Sequence, residues 1–304
     1  MLNIENVSKT IGKHQIIKDL SLHVDKGEVF GLLGPNGAGK TTIIRMIVGL
    51  AKITWGDIFI NNISITHQKQ AALKKVGAIV ENPEFYNNMS GLGNLKQHQR
   101  LYPHISENQI NNAVDFIELQ HRIHEKVGHY SLGMKQRLGL AQAMLHHPDV
   151  LILDEPTNGL DPAGIKKIRG HINYLSKELG LTVIISSHLL SEIEQICDRA
   201  AIIDEGKLIT IQHLNKETAT QMTYEFTVQD MSSAINVLTQ HNIQAYTNKN
   251  KLHVTINKPD LFNVIKLMVD HHIKFTSLTS KEKTLEDYFI KITNKGVNDN
   301  SIVN

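Results

Sequence analysis

The chain has 304 residues, a length typical of about two domains, and 41% of them are hydrophobic, which is enough to build a core and excludes wholesale disorder. Its 32 Lys and Arg nearly balance its 30 Asp and Glu, giving a formal net charge of +2. This balance argues against a broad surface for nucleic acid, so we expect no nucleic acid partner.

The sequence also predicts a cytoplasmic location. Its single cysteine, Cys197, cannot form an internal disulfide, and the amino terminus lacks the basic-then-apolar layout of a signal peptide. The longest apolar runs, such as residues 150–153, have the length of a strand and fall far short of the ~18 residues that cross a bilayer. We therefore expect any role at a membrane to depend on a partner.

The first part of the chain alternates short apolar runs with a helical pattern, which is typical of an α/β fold. In chain order, the sequence predicts a buried strand, a helix that follows a glycine-rich turn, and two more strands, at residues 28–33, 42–50, 55–60 and 76–80.

Residues 82–147 have a mostly helical pattern, and we expect a helical subdomain here. Ser106 is a candidate helix cap, because a serine oxygen can accept a hydrogen bond from the first free amides of a helix. Further along, four apolar residues recur at helical spacing and predict one buried helix face: Met134, Leu138, Ala141 and Leu145.

Strand patterns resume at residues 150–153 and 182–187. Residues 200–204 and 207–211 then predict a hairpin that turns at Glu205-Gly206. Together these elements predict an α/β first domain, residues 1–220, with a mixed sheet at its core.

A polar, unpatterned stretch near residues 215–222 separates this domain from a small C-terminal one, predicted to be α+β and to span residues 221–304. Two runs in it alternate apolar with polar residues and predict strands: Tyr224, Phe226 and Val228, then Leu252, Val254 and Ile256. Thr284 and Asp287 have the spacing of a capping box at the start of a predicted helix, 284–292. A polar tail ends the chain.

The strongest local motif lies between the predicted strand 28–33 and the helix 42–50. It matches the phosphate-loop pattern G-x-x-x-x-G-K-[ST], in which glycines let consecutive main-chain amides point at phosphate oxygens. In this pattern the lysine reaches the β- and γ-phosphates and the threonine hydroxyl binds Mg²⁺. The candidate nucleotide-binding residues are Gly34, Pro35, Asn36, Gly37, Ala38, Gly39, Lys40, Thr41 and Thr42.

A pair of acids follows the apolar strand predicted at residues 150–153. Ligands bind at the carboxyl ends of buried parallel strands. Asp154 is therefore a candidate Mg²⁺ ligand, and Glu155 is a candidate to orient or deprotonate an attacking water. A lone Asp-Glu pair is more often part of a turn, so this interpretation depends on the neighbouring motifs.

Two further motifs flank the acidic pair: Tyr130-Ser-Leu-Gly-Met precedes it and Ser187-His188 follows it. Together with the phosphate loop they resemble the ABC ATPase family, over residues 1 to about 215. The signature of that family is usually Leu-Ser-Gly-Gly-Gln, of which this chain keeps Ser131 and Gly133 but replaces the first glycine by Leu132 and the glutamine by Met134. In isolation, Ser131 could equally be an ordinary helix cap.

The resemblance implies a P-loop NTPase fold of the ABC type and hydrolysis of ATP with Mg²⁺, with Glu155 and His188 as catalytic residues. It also implies that Ser131 and Gly133 bind the γ-phosphate of ATP held by a second ATP-binding subunit, and that Asp161, which ends Asn158-Gly-Leu-Asp, contacts that subunit. Because the chain carries one set of motifs, we expect a working dimer, formed by two copies of the chain.

Two positions depart from the family pattern. Glu81 replaces a glutamine that in the family contacts Mg²⁺ and senses the membrane subunit; since a carboxylate still ligates Mg²⁺, we expect Glu81 to be a metal-side ligand and a coupling residue. The family usually stacks adenine on an aromatic residue, but the matching position here carries Ile11. We therefore expect weak discrimination between ATP and GTP.

Residues 130–137, Glu81 and the C-terminal module resemble one branch of the family, the bacterial drug and peptide-antibiotic exporters, including bacitracin- and lantibiotic-protection systems. This resemblance implies a subunit on the inner face of the bacterial cell membrane that powers export of an antibiotic-like compound through a separate membrane-spanning permease. Phe85 and Tyr86 are candidates to line a groove for that permease, or to pack within the helical subdomain, and the two roles are compatible.

The alternative functions are a non-transport ABC ATPase, acting on ribosomes or DNA, and an importer motor. They fit less well, because the chain has one cassette, a balanced charge and a C-terminal module unlike that of importers.

Overall fold

The structure, a computed structural model, describes residues 1–214, 221–241, 243–248, 251–280 and 285. These residues form two compact units, one made of residues 1–214 and the other of the described residues from 221 onward. No helix among them is long and apolar enough to cross a membrane. The capping box predicted from Thr284 and Asp287 lies outside the described residues.

Strands and helices alternate at the start of the first unit. In chain order they are β1 (Leu2–Ile11), β2 (His14–Val24), β3 (Val29–Leu33), α1 (Lys40–Ile47), β4 (Trp55–Ile60), β5 (Ile63–Ser64), α2 (Lys69–Leu73) and β6 (Val76–Ile79). The predicted strands are present. The predicted helix 42–50 ends earlier than expected, because Gly49 turns the backbone to a φ of +69°.

Four strands form an antiparallel sheet in the order β2-β1-β4-β5. The sequence analysis identified only β4 of this sheet. The reason lies in β-bulges: Asn6 and Asp19 have φ values of 48° and 49°, and the pairing of β1 with β2 shifts register between Ile4 and Val7. Each bulge breaks the two-residue alternation of buried side chains by which a strand is recognised.

The middle of the first unit is helical, as predicted, and contains α3 (Gly91–Gln99), α4 (Glu107–Phe116), a short 3₁₀ turn (Val127–His129) and α5 (Leu132–Met144). Ser106 caps α4 in a capping box with Gln109, which confirms its predicted role. Three of the four apolar residues predicted to share a buried helix face are buried in one hydrophobic cluster of this subdomain, Leu138, Ala141 and Leu145, and the fourth, Met134, is partly buried and packs against it.

The remaining elements of the first unit are β7 (Val150–Asp154), α6 (Pro162–Lys177), β8 (Thr182–Ser187), α7 (Leu190–Ile196), β9 (Arg199–Asp204) and β10 (Lys207–His213). They complete a six-stranded sheet in the order β10-β9-β3-β8-β7-β6. Its strands run parallel except for β10, which pairs antiparallel with β9 in the predicted hairpin. The prediction of a mixed sheet core is confirmed.

One hydrophobic cluster joins the two sheets of the first unit through α1. Four residues of this helix are at most 1% exposed: Ile43, Ile44, Met46 and Ile47. Burying each such side chain contributes about 1.5–3 kcal/mol, so this packing fixes the helix that follows the phosphate loop. Because parallel strands end at one edge, the carboxyl ends of β3, β7 and β8 meet there.

The second unit is α+β, as predicted. Its elements are β11 (Gln221–Val228), α8 (Met231–Gln240), β12 (Gln244–Asn248), β13 (Lys251–Asn257), a 3₁₀ turn (Lys258–Asp260), α9 (Leu261–Asp270) and β14 (Phe275–Ser280). The four strands form an antiparallel sheet in the order β12-β13-β11-β14. The edge strand β12 was not predicted, because its mostly exposed polar side chains give no apolar alternation.

Candidate functional site

The phosphate loop joins β3 to α1, and main-chain contacts fix its shape. A Cβ on Gly34 would lie 2.2 Å from the carbonyl oxygen of Ile203 in β9. The amide of Gly206, in the turn after β9, donates to the carbonyl oxygen of Ala38 at 2.9 Å. A Cβ on Gly206, whose φ is +76°, would lie 1.8 Å from the carbonyl oxygen of Ile16 in β2. Only glycine fits at these two positions, where the backbone of both sheets approaches the loop.

Lys40 is the first residue of α1 and is only 5% exposed. Its Nζ donates to the carbonyl oxygens of Gly34, at 2.7 Å, and Pro35, at 3.1 Å, and lies 3.8 Å from Oε1 of Glu155. Burial lowers the pKa of the Lys40 ammonium, and the negative charges of Glu155 and Asp154 oppose that shift. The amine thus lies inside the loop, where it can reach the phosphates of a bound nucleotide.

Two oxygen ligands meet at the predicted metal position. Asp154, the last residue of β7, is 3% exposed, and Oγ1 of Thr41 donates to its Oδ1 at 3.4 Å. Hydroxyl and carboxylate oxygens are the ligands that Mg²⁺ prefers. The donor set therefore fits the metal ion that the sequence predicted.

Glu155 and His188 are in direct contact beside the loop. Nδ1 of His188 lies 3.0 Å from Oε2 of Glu155. The backbone of Glu155 has a φ of +47°, in the left-handed region, and its amide donates to Oγ of Ser186 at 2.9 Å. Lys40, Glu155 and His188 therefore form one cluster at the carboxyl edge of the six-stranded sheet.

A cleft of about 160 Å³ opens over the phosphate loop. Its lining residues are Ile16, Asn36, Gly37, Gly39, Lys40, Thr41, Thr42 and Glu155. A second cleft, which His188 and Asn158 help to line, shares Glu155 with the first. The structure thus brings most of the predicted nucleotide-binding residues to one concave surface.

The predicted signature residues lie elsewhere on the same chain. Oγ of Ser131 accepts a hydrogen bond from the amide of Met134 at 3.3 Å, so Ser131 caps α5. A Cβ on Gly133 would lie 3.7 Å from Cδ2 of Leu160. In the part of the chain that the structure describes, no hydrogen bond links Ser131 or Gly133 to the phosphate loop. One copy of the chain does not bring them to its own nucleotide-binding residues.

Asp161 is also a helix cap in this structure. Its Oδ1 accepts from the amide of Gly164 at 3.0 Å, at the start of α6, and the residue is exposed. The preceding Gly159 has a φ of +73°, and a Cβ there would lie 3.0 Å from Cδ2 of Leu132. The loop that contains Asp161 therefore lies against the signature segment.

Comparison with known proteins identifies the family. The family model described as ABC transporter matches residues 17–158. The chain is 49% identical over 294 residues to an uncharacterized ABC transporter ATP-binding protein, YhcH, of Bacillus subtilis (strain 168), covering 96% of each chain. The chain belongs to the ABC transporter family. Both the expected fold of an ABC-type P-loop NTPase and the ATPase class are confirmed.

A second relative of this ABC subunit is the bacitracin transport ATP-binding protein BcrA of Bacillus licheniformis, 40% identical over 302 residues, with 97% of this chain and 98% of BcrA covered. A solved structure of the ATP-binding subunit of an ABC transporter is 29% identical and matches with a TM-score of 0.64. That match covers 70% of this chain and 90% of the other.

Glu81 of the ABC subunit does not lie in the cleft over the phosphate loop. It follows β6 with a φ of +63° and forms an ion pair with Arg45 of α1. The side chains are 61% and 48% exposed, respectively. In this structure the charge of Glu81 is therefore neutralised by Arg45.

The expected position for adenine also differs in detail. Ile11, at the end of β1, is 56% exposed and does not line the cleft, whereas Ile16 of β2 does. The sequence analysis did not identify Ile16, Arg45 or Ser186. Each of these three residues takes its place through the packing of separate elements, so no local sequence pattern marks it.

Proposed function

We propose that this ABC ATPase powers export of a peptide antibiotic or similar amphipathic compound through a separate membrane-spanning permease, at the inner face of the bacterial cell membrane. The observation that carries this proposal is the near full-length similarity to the bacitracin transport ATP-binding protein. The assembled cluster of Lys40, Glu155 and His188 supports it, because such a motor needs a hydrolytic site. The alternative of an ABC ATPase acting on ribosomes or DNA draws no support from these relatives.

In the proposed reaction the amides of the phosphate loop and Lys40 bind the β- and γ-phosphates of ATP. Thr41 and Asp154 would hold Mg²⁺, which would supply positive charge near the phosphate oxygens. Glu155 orients the attacking water and accepts its proton as the water oxygen bonds to the γ-phosphorus and the bond to the bridging oxygen of ADP breaks. His188, in contact with Glu155, orients that carboxylate.

The proposed working form is a dimer of two copies. Ser131 and Gly133 lack a hydrogen bond to the phosphate loop of their own chain, among the residues described, yet Ser131 lies at the positive end of α5. In a dimer, this end would face the γ-phosphate bound by the other copy. Asp161, exposed beside the signature segment, would contact the same copy. ATP would thereby hold the two subunits together until it is hydrolysed.

The proposed contact with the permease lies on the helical subdomain. A cleft of about 650 Å³ opens there, to which Phe85, Tyr86, Arg100 and Leu101 contribute. Tyr86 and Leu101 are 67% and 73% exposed. Exposed apolar side chains at the edge of a cleft are typical of a surface that binds another protein, which supports the groove interpretation. Phe85 also packs against the hydrophobic cluster of the helical subdomain, so both interpretations apply to it.

The test of the function is a susceptibility assay. The chain and its permease are expressed in a bacitracin-sensitive bacterium, together with the variants Lys40→Ala and, as a control, His121→Gln on the exposed surface. We expect the parent and the control to raise the inhibitory concentration of bacitracin or of a related peptide, and Lys40→Ala to abolish this protection. Protection that survives Lys40→Ala, or no protection against any such compound despite ATP hydrolysis by the purified pair, would contradict the proposal.

A further inference from the structure

Ser186 lies between the two acidic residues of the site. It is 0% exposed in β8, and its Cα is paired with that of Asp154 across the parallel ladder of β7 and β8. Its Oγ donates to Oδ1 of Asp154 at 2.5 Å and accepts from the amide of Glu155 at 2.9 Å. A serine hydroxyl has one proton to donate and lone pairs to accept, so a single side chain serves both partners.

The first of these hydrogen bonds fixes the carboxylate of Asp154. This group is buried, and a buried carboxylate needs donors to replace the water it has lost. Ser186 supplies the shorter bond, while the hydroxyl of Thr41 approaches the same Oδ1 at 3.4 Å. Ser186 therefore makes the shorter of the two hydrogen bonds that hold this carboxylate oxygen in place.

The second hydrogen bond fixes the backbone of Glu155. A φ of +47° is uncommon for a residue with a side chain, and it persists only where the surroundings hold it. The bond from its amide to Oγ of Ser186 is such a restraint. It holds the turn that directs the Glu155 carboxylate toward His188 and Lys40.

From this geometry we infer that Ser186 is a positioning residue for ATP hydrolysis, which locks the metal-binding carboxylate of Asp154 and the water-activating Glu155 into one rigid unit. The inference rests on the proposed roles of those two acids. Ser186 itself would make no contact with ATP. Its hydroxyl aligns the two acids, which must act together. At metal sites, residues that hydrogen-bond to a metal ligand align that ligand in the same way.

A matched pair of substitutions separates the effect of the Ser186 hydroxyl from the effect of side-chain size. Ser186→Thr and Ser186→Val add the same bulk to a strand and differ in whether a hydroxyl is present. For Ser186→Val we expect kcat to fall by about 10- to 100-fold and the Mg²⁺ concentration for half-maximal activity to rise by a similar factor, with ATP affinity in EDTA unchanged. Ser186→Thr should retain most of the parent's kcat and Mg²⁺ dependence.

Two controls separate this effect from general damage. Ser176→Val removes another buried serine hydroxyl, which donates to the carbonyl oxygen of Gly27 at 2.8 Å, and should leave the Mg²⁺ dependence unchanged. If the Thr and Val variants do not fold, Ser186→Ala removes the hydroxyl without adding bulk. Circular dichroism and thermal unfolding check that this variant is folded. A folded Ser186→Ala with the Mg²⁺ dependence of the parent would overturn the inference, as would equal behaviour of folded Thr and Val variants.

Asp154→Asn and Lys40→Ala distinguish failure of this inference from failure of the proposed function. If these two variants still hydrolyse ATP at the parent's rate, the proposed roles of the site are wrong. If both are inactive while Ser186→Val hydrolyses ATP normally, only the positioning role of Ser186 is wrong.

Discussion

Nδ1 of His188 and Oε2 of Glu155 are 3.0 Å apart, so the residue that follows β8 contacts the carboxylate of the residue that follows β7. Replacing Glu155 by Gln keeps the size of the side chain but removes its ability to accept a proton. We expect kcat for ATP hydrolysis to fall by about 10²- to 10⁴-fold while ATP still binds. Size-exclusion chromatography with saturating MgATP should then show a dimer; a variant that stays monomeric would contradict the proposed ATP-bound dimer.

His188→Ala should reduce kcat with little change in the KM for ATP, because His188 contacts Glu155 rather than the phosphate loop. Steady-state rates over a range of ATP concentrations measure both constants. A large rise in KM with an unchanged kcat would show instead that His188 contributes to ATP binding.

A mixed dimer tests whether Ser131 acts across the interface. Lys40→Ala removes the amine proposed to bind phosphate, and Ser131→Glu places a negative charge where the γ-phosphate of the other copy should lie. Each variant alone should be inactive. Mixing them should restore part of the ATPase activity, because one of the two composite sites then contains an intact Lys40 and an intact Ser131. If mixing restores no activity although mixed dimers form, Ser131 does not act in this way.

The ion pair of Arg45 with Glu81 bears on the predicted metal-side role of Glu81. Both side chains are about half exposed, so the pair should stabilise the fold by at most about 1 kcal/mol. If Glu81 serves Mg²⁺ and coupling, Glu81→Gln should change the Mg²⁺ dependence and the ratio of transport to ATP hydrolysis. Arg45→Gln breaks the same pair and serves as the control. Equal behaviour of the two variants, with Mg²⁺ dependence unchanged, would leave Glu81 only a surface partner of Arg45.

The presence of Ile11 predicts weak selectivity for the base of the nucleotide. Without an aromatic residue to stack on adenine, ATP and GTP should compete for the site within about tenfold of each other, since one stacking contact is worth about 0.5–1.5 kcal/mol. Because Ile11 is exposed, Ile11→Tyr should fold normally, and its ring should tighten the binding of both nucleotides, since every base has a face on which an aromatic ring can stack. A strong preference for ATP in the parent chain, measured by competition binding, would contradict this prediction.

Two histidines of the helical subdomain predict a pH dependence of stability. Burial lowers the pKa of His98 and of His146 below their ordinary value of 6.5. As the pH falls below 6.5, the unfolded chain therefore binds protons that the folded chain does not. The free energy of unfolding then decreases with falling pH, by at most about 1.4 kcal/mol per pH unit for each histidine.

Chemical denaturation at about pH 7 and about pH 5.5 measures this loss for the parent, His98→Gln and, as a control, the exposed His121→Gln. His98→Gln should lose less stability over this interval than the parent, and His121→Gln should behave like the parent. An equal loss in all three proteins would show that His98 is not responsible.

The phosphate loop and the acidic pair could be predicted from sequence because their residues are contiguous and lie at strand ends. Gly34 through Gly39 form the loop after β3, Lys40 and Thr41 begin α1, and the chemistry of this contiguous run can be read from residue types alone. Ser186 could not be predicted in the same way. Its role depends on the register that places it beside Asp154, a residue thirty-two positions away in the sequence, and a serine within an apolar strand carries no local signal.

The place of Ile16 was not predicted either. This residue lines the cleft whereas Ile11 does not, and the pairing of β1 with β2 shifts register at bulges that the alternation of residue types does not reveal. The partner of Glu81 was missed for another reason. Arg45 pairs with Glu81 only because the end of β6 lies beside α1. The order of the elements along the chain does not determine that proximity.

The turn at Gly206 has a practical consequence for anyone who alters this protein. Its amide bonds to Ala38, its carbonyl accepts from Lys18, and its α-carbon approaches Ile16. A surface hairpin would normally be an obvious point at which to insert a tag, attach a fluorophore or open the chain for circular permutation. Here such an edit would disturb the phosphate loop, although the turn is more than 160 positions away from that loop along the chain.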